Sequence, residues 1–139
     1  MKINFEHKIS LRVRYSETDQ MGYCYHGNYA QYFEVGRVET LRELGLSYKS
    51  LEDQGYMLPV AELSVNYKFP AKYDDNLTIK TSITEMRGAR LAFEYTITNE
   101  EEQLIATATT MLVFVAKETM RPISPPTSFV KLIEPHEQK

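Results

Sequence analysis

The chain has 139 residues, 42% of them hydrophobic and 25% charged, and a net charge of −3. That is length for one domain with a core of its own, an ordinary balance for a soluble protein, and a mild negative charge that speaks against a nucleic-acid partner. Its single cysteine, Cys24, excludes an internal disulfide and a cysteine-rich metal site, no apolar run approaches the roughly 20 residues of a membrane span, and the acid-bearing, apolar-poor start predicts no secretory signal and hence a cytoplasmic protein.

The first predicted element is a strand. Phe5, Ile9, Leu11, Val13 and Tyr15 alternate with Glu6, Lys8, Ser10, Arg12 and Arg14, the period of a half-buried strand, with His7 as the exception. From Asn28 to about Leu46 the period becomes helical. Tyr29, Tyr32, Phe33, Val35, Val38, Leu41 and Leu44 form a wide apolar stripe, as on a helix that is mostly enclosed. Gly36 in its middle costs roughly 1 kcal/mol against alanine, which a close approach to a sheet would explain. Gly45 is the expected stop, and Ser47 the cap of a short second helix closed by Gly55.

Strands then dominate. Alternating runs centre on Leu63 to Phe69, Leu77 to Thr84, and Leu91 to Thr98, and a last run from Leu104 to about Ala116 turns apolar on both faces near Met111 to Val115. Polar turn signals at 72–76, 87–90 and 99–103 separate them. Connections this short imply antiparallel neighbours. After Thr119, Pro122, Pro125 and Pro126 predict a tail running along the surface. The expectation is an α+β fold in one domain over 1–139, its core at about 5–118 and its tail at 119–139, with one long helix against one antiparallel sheet.

The loop between the first strand and the long helix is the candidate site. Residues 15–29 hold Asp19, His26, Asn28, two glycines and four tyrosines, and end at a helix start. A helix N-terminus offers unpaired N–H groups and a partial positive charge. A carboxylate just upstream can face whatever those groups bind, which suits attack on a carbonyl: an acid, base or nucleophile together with donors for the developing oxyanion.

Tyr15, Glu17, Thr18, Asp19, Met21, Gly22, Tyr25, His26, Gly27, Asn28, Tyr29, Phe33, Glu34 and Arg37 together make a motif that resembles the hotdog-fold acyl-CoA thioesterases, in the 4-hydroxybenzoyl-CoA thioesterase and YbgC-type branch. Leu58, Pro59, Val60, Tyr67, Pro70, Ala71, Tyr73, Asp74, Asp75 and Leu77 add to the resemblance, which spans about 5–118. It implies a five-stranded antiparallel sheet wrapped around one central helix, assembled as a homodimer or homotetramer with sites between chains. It implies hydrolysis of an acyl-CoA thioester to a carboxylic acid and coenzyme A, with no cofactor and no metal. It puts Asp19 in place as nucleophile or general base, the backbone N–H groups near His26 and Gly27 as oxyanion donors, and Tyr25, Asn28, Tyr29, Pro59 and Val60 in the substrate site.

Each of these residues has a plainer reading. Asp19 is good turn chemistry, Asn28 is a natural N-cap, and His26 can serve through its backbone alone. Cys24 reads as a small buried hydrophobe, Glu17 and Thr18 as residues that shape the loop, and Glu34 with Arg37 as a helix ion pair. Arg87 and Arg90, flanking a Gly-Ala turn, are candidates for the coenzyme A phosphates, as are Lys72 and Lys117, although solvated surface charge is the stronger reading of each. Two rival functions remain open at this point: a hotdog hydratase or dehydratase acting on acyl thioesters, and a non-catalytic acyl-CoA-binding protein.

Overall fold

The computed structural model describes residues 1–138. The chain runs through β1 (Lys2–Arg12), two 3₁₀ turns (Tyr15–Glu17 and His26–Asn28), α1 (Tyr29–Leu44), α2 (Tyr48–Asp53), β2 (Tyr56–Met57), β3 (Val60–Tyr67), β4 (Asn76–Arg87), β5 (Arg90–Thr98), β6 (Leu104–Val113), β7 (Val115–Ala116), α3 (Thr127–Ile133) and a last 3₁₀ turn (Glu134–His136). Five strands form one antiparallel sheet in the order β1-β4-β5-β6-β3, and β2 pairs with β7 beside it. The sheet lies against α1, as the resemblance implies. Among the described residues no helix is long and apolar enough to cross a membrane.

The alternation of β4 and β5 is the reason one face is dry. Leu77, Ile79, Ile83, Leu91, Phe93, Tyr95 and Ile97 are all 1% exposed or less, while their neighbours stay half-buried or open. Against them α1 presents Tyr29, Tyr32, Phe33, Gly36, Arg37, Thr40, Leu41 and Leu44. Phe33 meets Tyr95 with ring centroids 4.9 Å apart. The contact is close because Gly36 has no side chain: a Cβ there would sit 2.6 Å from Thr81 Oγ1 and 3.0 Å from Ile79 Cγ2. The helix ends at Gly45 with φ +112°, a left-handed conformation that glycine adopts without strain. Ser47 then caps α2, accepting from the Ser50 N–H at 3.1 Å.

Four expectations need correction. The apolar stripe of α1 is narrower than its sequence predicts, since Val35 is 45% exposed. Arg37 does not pair with Glu34; it is buried, and its Nε and Nη1 donate to the hydroxyls of Tyr48 and Tyr95, each at 3.1 Å. The Leu63-to-Phe69 run lies along an edge strand, so Leu63, Tyr67 and Phe69 stay exposed despite their alternation. The tail is not a surface strap, because α3 sends Phe129 and Ile133 fully into the core. Phe129 packs edge-on against Phe114 at 5.2 Å, which covers part of the two-faced apolar run at the end of β6.

Candidate active site

The loop after β1 folds back on itself as a small closed hairpin. Its base is the bond from the Tyr25 N–H to Glu17 O at 2.8 Å, its middle a bridge between Thr18 and Cys24, and its tip the bond from the Asp19 N–H to Tyr23 O at 2.8 Å. Asp19 stands at that tip. Its Oδ1 accepts the Met21 N–H at 2.9 Å and the Tyr23 N–H at 3.2 Å, and Gly22 takes φ +81° to complete the turn. Asp19 is thus a turn aspartate by geometry, and the same turn orients its carboxylate. Only one of its two oxygens is used among the described residues.

After Tyr25 the chain enters the 3₁₀ turn that leads into α1. The Asn28 N–H donates to Tyr25 O at 2.9 Å, so the N–H groups of His26 and Gly27 precede the first donor of the turn and have no partner within it. Asn28 does not cap the helix: its backbone is already helical, and its Nδ2 donates to Glu17 O at 2.8 Å. His26 is exposed, rests against the Tyr25 ring at 4.5 Å, and its carbonyl accepts from Tyr67 Oη at 3.3 Å.

Asp19, His26 and Tyr29 line one cavity of about 340 Å³, together with Met21, Tyr23, Cys24, Tyr67, Lys68, Phe69 and Pro70. Burial pushes the Tyr29 hydroxyl up to about 12, so it remains a neutral donor at any physiological pH. Cys24 is 5% exposed, and burial raises its thiol above the usual range. A thiol so placed is a poor nucleophile, and it is the buried residue its sequence context predicts, 3.3 Å from Tyr32 Oη.

The other predicted site residues lie elsewhere. Tyr25 and Asn28 border the helix start without lining that cavity. Pro59 and Val60 line a second cavity of about 270 Å³ with Glu34, Arg37, Tyr48, Tyr56 and others. It opens at the Val60 end of β3, whereas the Asp19 cavity opens at the Tyr67 end. Arg87 and Arg90 face each other across the exposed β4–β5 turn, away from both. Tyr67, Lys68 and Phe69 were missed as site residues. Their exposed apolar and cationic character, right after a strand that stays open, is the signal that could have marked them.

The thioesterase-like superfamily matches residues 13–133. The acyl-CoA thioester hydrolase YbgC of Escherichia coli O157:H7 is 38% identical over 120 residues, covering 86% of this chain and 90% of that protein. The acyl-CoA thioesterase YbgC of Haemophilus influenzae is 33% identical over 117 residues, 84% of this chain and 85% of that one. Among solved structures, the DHNA-CoA thioesterase of Staphylococcus aureus superposes with a TM-score of 0.88 at 35% identity, over 92% of this chain and 88% of that one.

Proposed function

The chain belongs to the thioesterase-like superfamily and is a thioester hydrolase of the hotdog fold; on that premise we propose that it is a cytoplasmic acyl-CoA thioesterase whose chemistry is carried by Asp19 and the N–H groups at the start of α1. The observation that supports this is a cavity lined by the turn-locked Asp19 carboxylate and by His26, at a helix start whose first N–H groups have no partner within the turn.

In this reading the thioester carbonyl oxygen lies toward the N–H groups of His26 and Gly27. Asp19 either attacks the carbonyl carbon or takes a proton from an attacking water. In the first case a C–O bond to Asp19 forms, the C–S bond breaks with loss of the coenzyme A thiolate, and water then cleaves the acyl–Asp19 anhydride to give the acid and free the carboxylate. In the second the water oxygen forms the C–O bond, the C–S bond breaks, and the proton taken by Asp19 passes on to the thiolate. Two N–H donors aimed at the oxyanion act without reorganising, which is why such sites lower barriers by several kcal/mol. Tyr29 forms part of the wall for the acyl group, and His26 lines the same cavity beside the helix start. Coenzyme A enters as substrate, and no separate cofactor takes part. Lys68 at the cavity rim is better placed for its phosphates than Arg87 and Arg90.

The protein works as a homodimer. β3 is the sheet edge that ends in the site, and it exposes Val60, Leu63 and Tyr67. Open edges invite pairing with another copy. From Val60 to Tyr67 the strand spans about 23 Å at roughly 3.3 Å per residue, with one cavity at each end. Two copies paired antiparallel through β3 about a two-fold axis set the Pro59–Val60 cavity of one beside the Asp19 cavity of the other. Pro59 and Val60 then meet the substrate of the second copy.

The test is release of free thiol from short, medium, long and aromatic acyl-CoAs by the wild-type protein and Asp19→Asn. Hydrolysis of at least one, lost in the variant, is the expected result. Binding without turnover across the panel would turn the reading to a carrier or sensor.

A further inference from the structure

Glu17 is the most heavily bonded residue of the loop, although it lies outside the cavity. Its Oε1 accepts the Arg14 N–H at 2.8 Å and the Tyr32 hydroxyl at 3.0 Å, and its Oε2 lies 3.3 Å from Arg14 Nη2. Its own carbonyl oxygen accepts the Tyr25 N–H and Asn28 Nδ2, each at 2.8 Å. The side chain is 12% exposed. Three separate segments therefore converge on one residue: the link just after β1 through Arg14, the helix entry through Tyr25 and Asn28, and the first turn of α1 through Tyr32.

Those bonds bracket the proposed chemistry. Asp19 lies two residues after Glu17 on the same hairpin, and the N–H groups of His26 and Gly27 lie between Tyr25 and Asn28. The carboxylate and the donors sit on the two arms of a hairpin that backbone bonds close on itself; what the Glu17 carboxylate adds is the tie from that hairpin to the first turn of α1, through the Tyr32 hydroxyl, and to Arg14. Tyr32 also lies 3.3 Å from Cys24 Sγ under the same hairpin, so the base of the loop is buttressed from below as well as from the side.

We propose that Glu17 is a positioning residue for thioester hydrolysis, which clamps the Asp19 turn to the start of α1 and so sets the distance between the carboxylate and the oxyanion donors. The proposal rests on the assignment of Asp19 made above. A residue that acts in this way lowers turnover when removed but contributes little to substrate affinity, because the cavity walls are left in place. Displacement of a reacting group by about 1 Å costs on the order of 10²-fold in rate. A glutamine keeps an acceptor for both the Arg14 N–H and the Tyr32 hydroxyl, so it preserves the clamp; an alanine does not.

Steady-state kinetics on Glu17→Ala, Glu17→Gln, Tyr32→Phe and Asp19→Asn, singly and with Glu17→Ala built into Asp19→Asn, decide it. Glu17→Ala should lower kcat by roughly 10–100-fold with KM little changed, Glu17→Gln should restore most of the loss, and Tyr32→Phe should fall between. In the Asp19→Asn background Glu17→Ala should add almost nothing, because the group it positions is gone. An undiminished kcat in Glu17→Ala would overturn the proposal. So would an equal loss with and without Asp19, which marks a general structural role. If Glu17→Ala fails to fold by circular dichroism, Tyr32→Phe carries the same reading: a kcat loss with unchanged KM supports the clamp, and no loss refutes it. Retained activity in Asp19→Asn alone would instead overturn the assignment of Asp19, a failure distinguishable from that of Glu17.

Discussion

Asp19 is held by two N–H groups on one oxygen, so Asp19→Asn can keep that acceptor and lose only the charge. Turnover should then fall by on the order of 10²-fold or more, the scale of positioned acid–base catalysis, with binding retained in a titration with a non-hydrolysable acyl-CoA. The helix-start donors allow a separate test. Gly27→Pro removes one N–H and disfavours helical geometry at His26. The three atoms nearest an added Cβ at Gly27 all belong to the exposed Tyr25 ring, the closest at 2.6 Å, and that ring can swing away. Gly27→Pro should therefore fold and lose about 3 kcal/mol of transition-state stabilisation, while His26→Ala costs much less. The opposite order in kcat/KM would shift the role to the imidazole. Glu17 adds a dependence on pH. Burial works to raise its carboxyl, but the Arg14 N–H, the Tyr32 hydroxyl and the Arg14 charge outweigh it and hold it below its ordinary range. The unfolded chain takes up that proton first, near pH 4.3. Stability from Glu17 is thus fully present above that pH and is lost as the pH falls through the lower folded-state value. Urea midpoints measured from pH 6 down to 3 should drop less steeply in Glu17→Gln than in wild type.

At the scale of elements, α1 and the sheet meet at Gly36, and the tail helix closes the far end of the core. Gly36→Ala gains roughly 1 kcal/mol of helix propensity, yet its methyl would stand 2.6 Å from Thr81 Oγ1. Overpacking of this kind costs about 1–3 kcal/mol, so the variant should be neutral to destabilised rather than stabilised in thermal melts, and Thr81→Ala in the same chain should relieve it. Phe129 is fully buried against Phe114. Phe129→Ala should cost about 3–5 kcal/mol, read as a lowered denaturation midpoint with an unchanged Asp19 site, since α3 lies apart from the loop. The helix of residues 29–44 and its glycine stop were legible in the sequence because period and punctuation are local. The role of α3 was not. The prolines before it, Pro122, Pro125 and Pro126, signal an irregular connection, and the burial of Phe129 depends on a Phe114 neighbour that only tertiary packing brings near.

For the whole molecule, the open β3 edge and the two separated cavities require a second copy in the proposed mechanism. Sedimentation should give a species at least twice the 16.1 kDa chain mass. Leu63→Lys, which sets like charges near each other across a paired edge, should raise the monomer fraction and lower activity together; an active monomer would refute the shared site. The sequence by itself determined the α+β class, the five alternating strands, the family motif and Asp19 as the residue to test. These rest on residue periodicity and on chemistry contained within a short stretch of chain. Only the tertiary structure decided that Asn28 bonds Glu17 rather than caps α1, that Arg37 answers to two tyrosines, that Pro59 and Val60 lie a strand's length from Asp19, and that the tail completes the core. Each of those depends on which distant groups arrive at hydrogen-bonding or packing distance, and side-chain type and spacing carry no record of that.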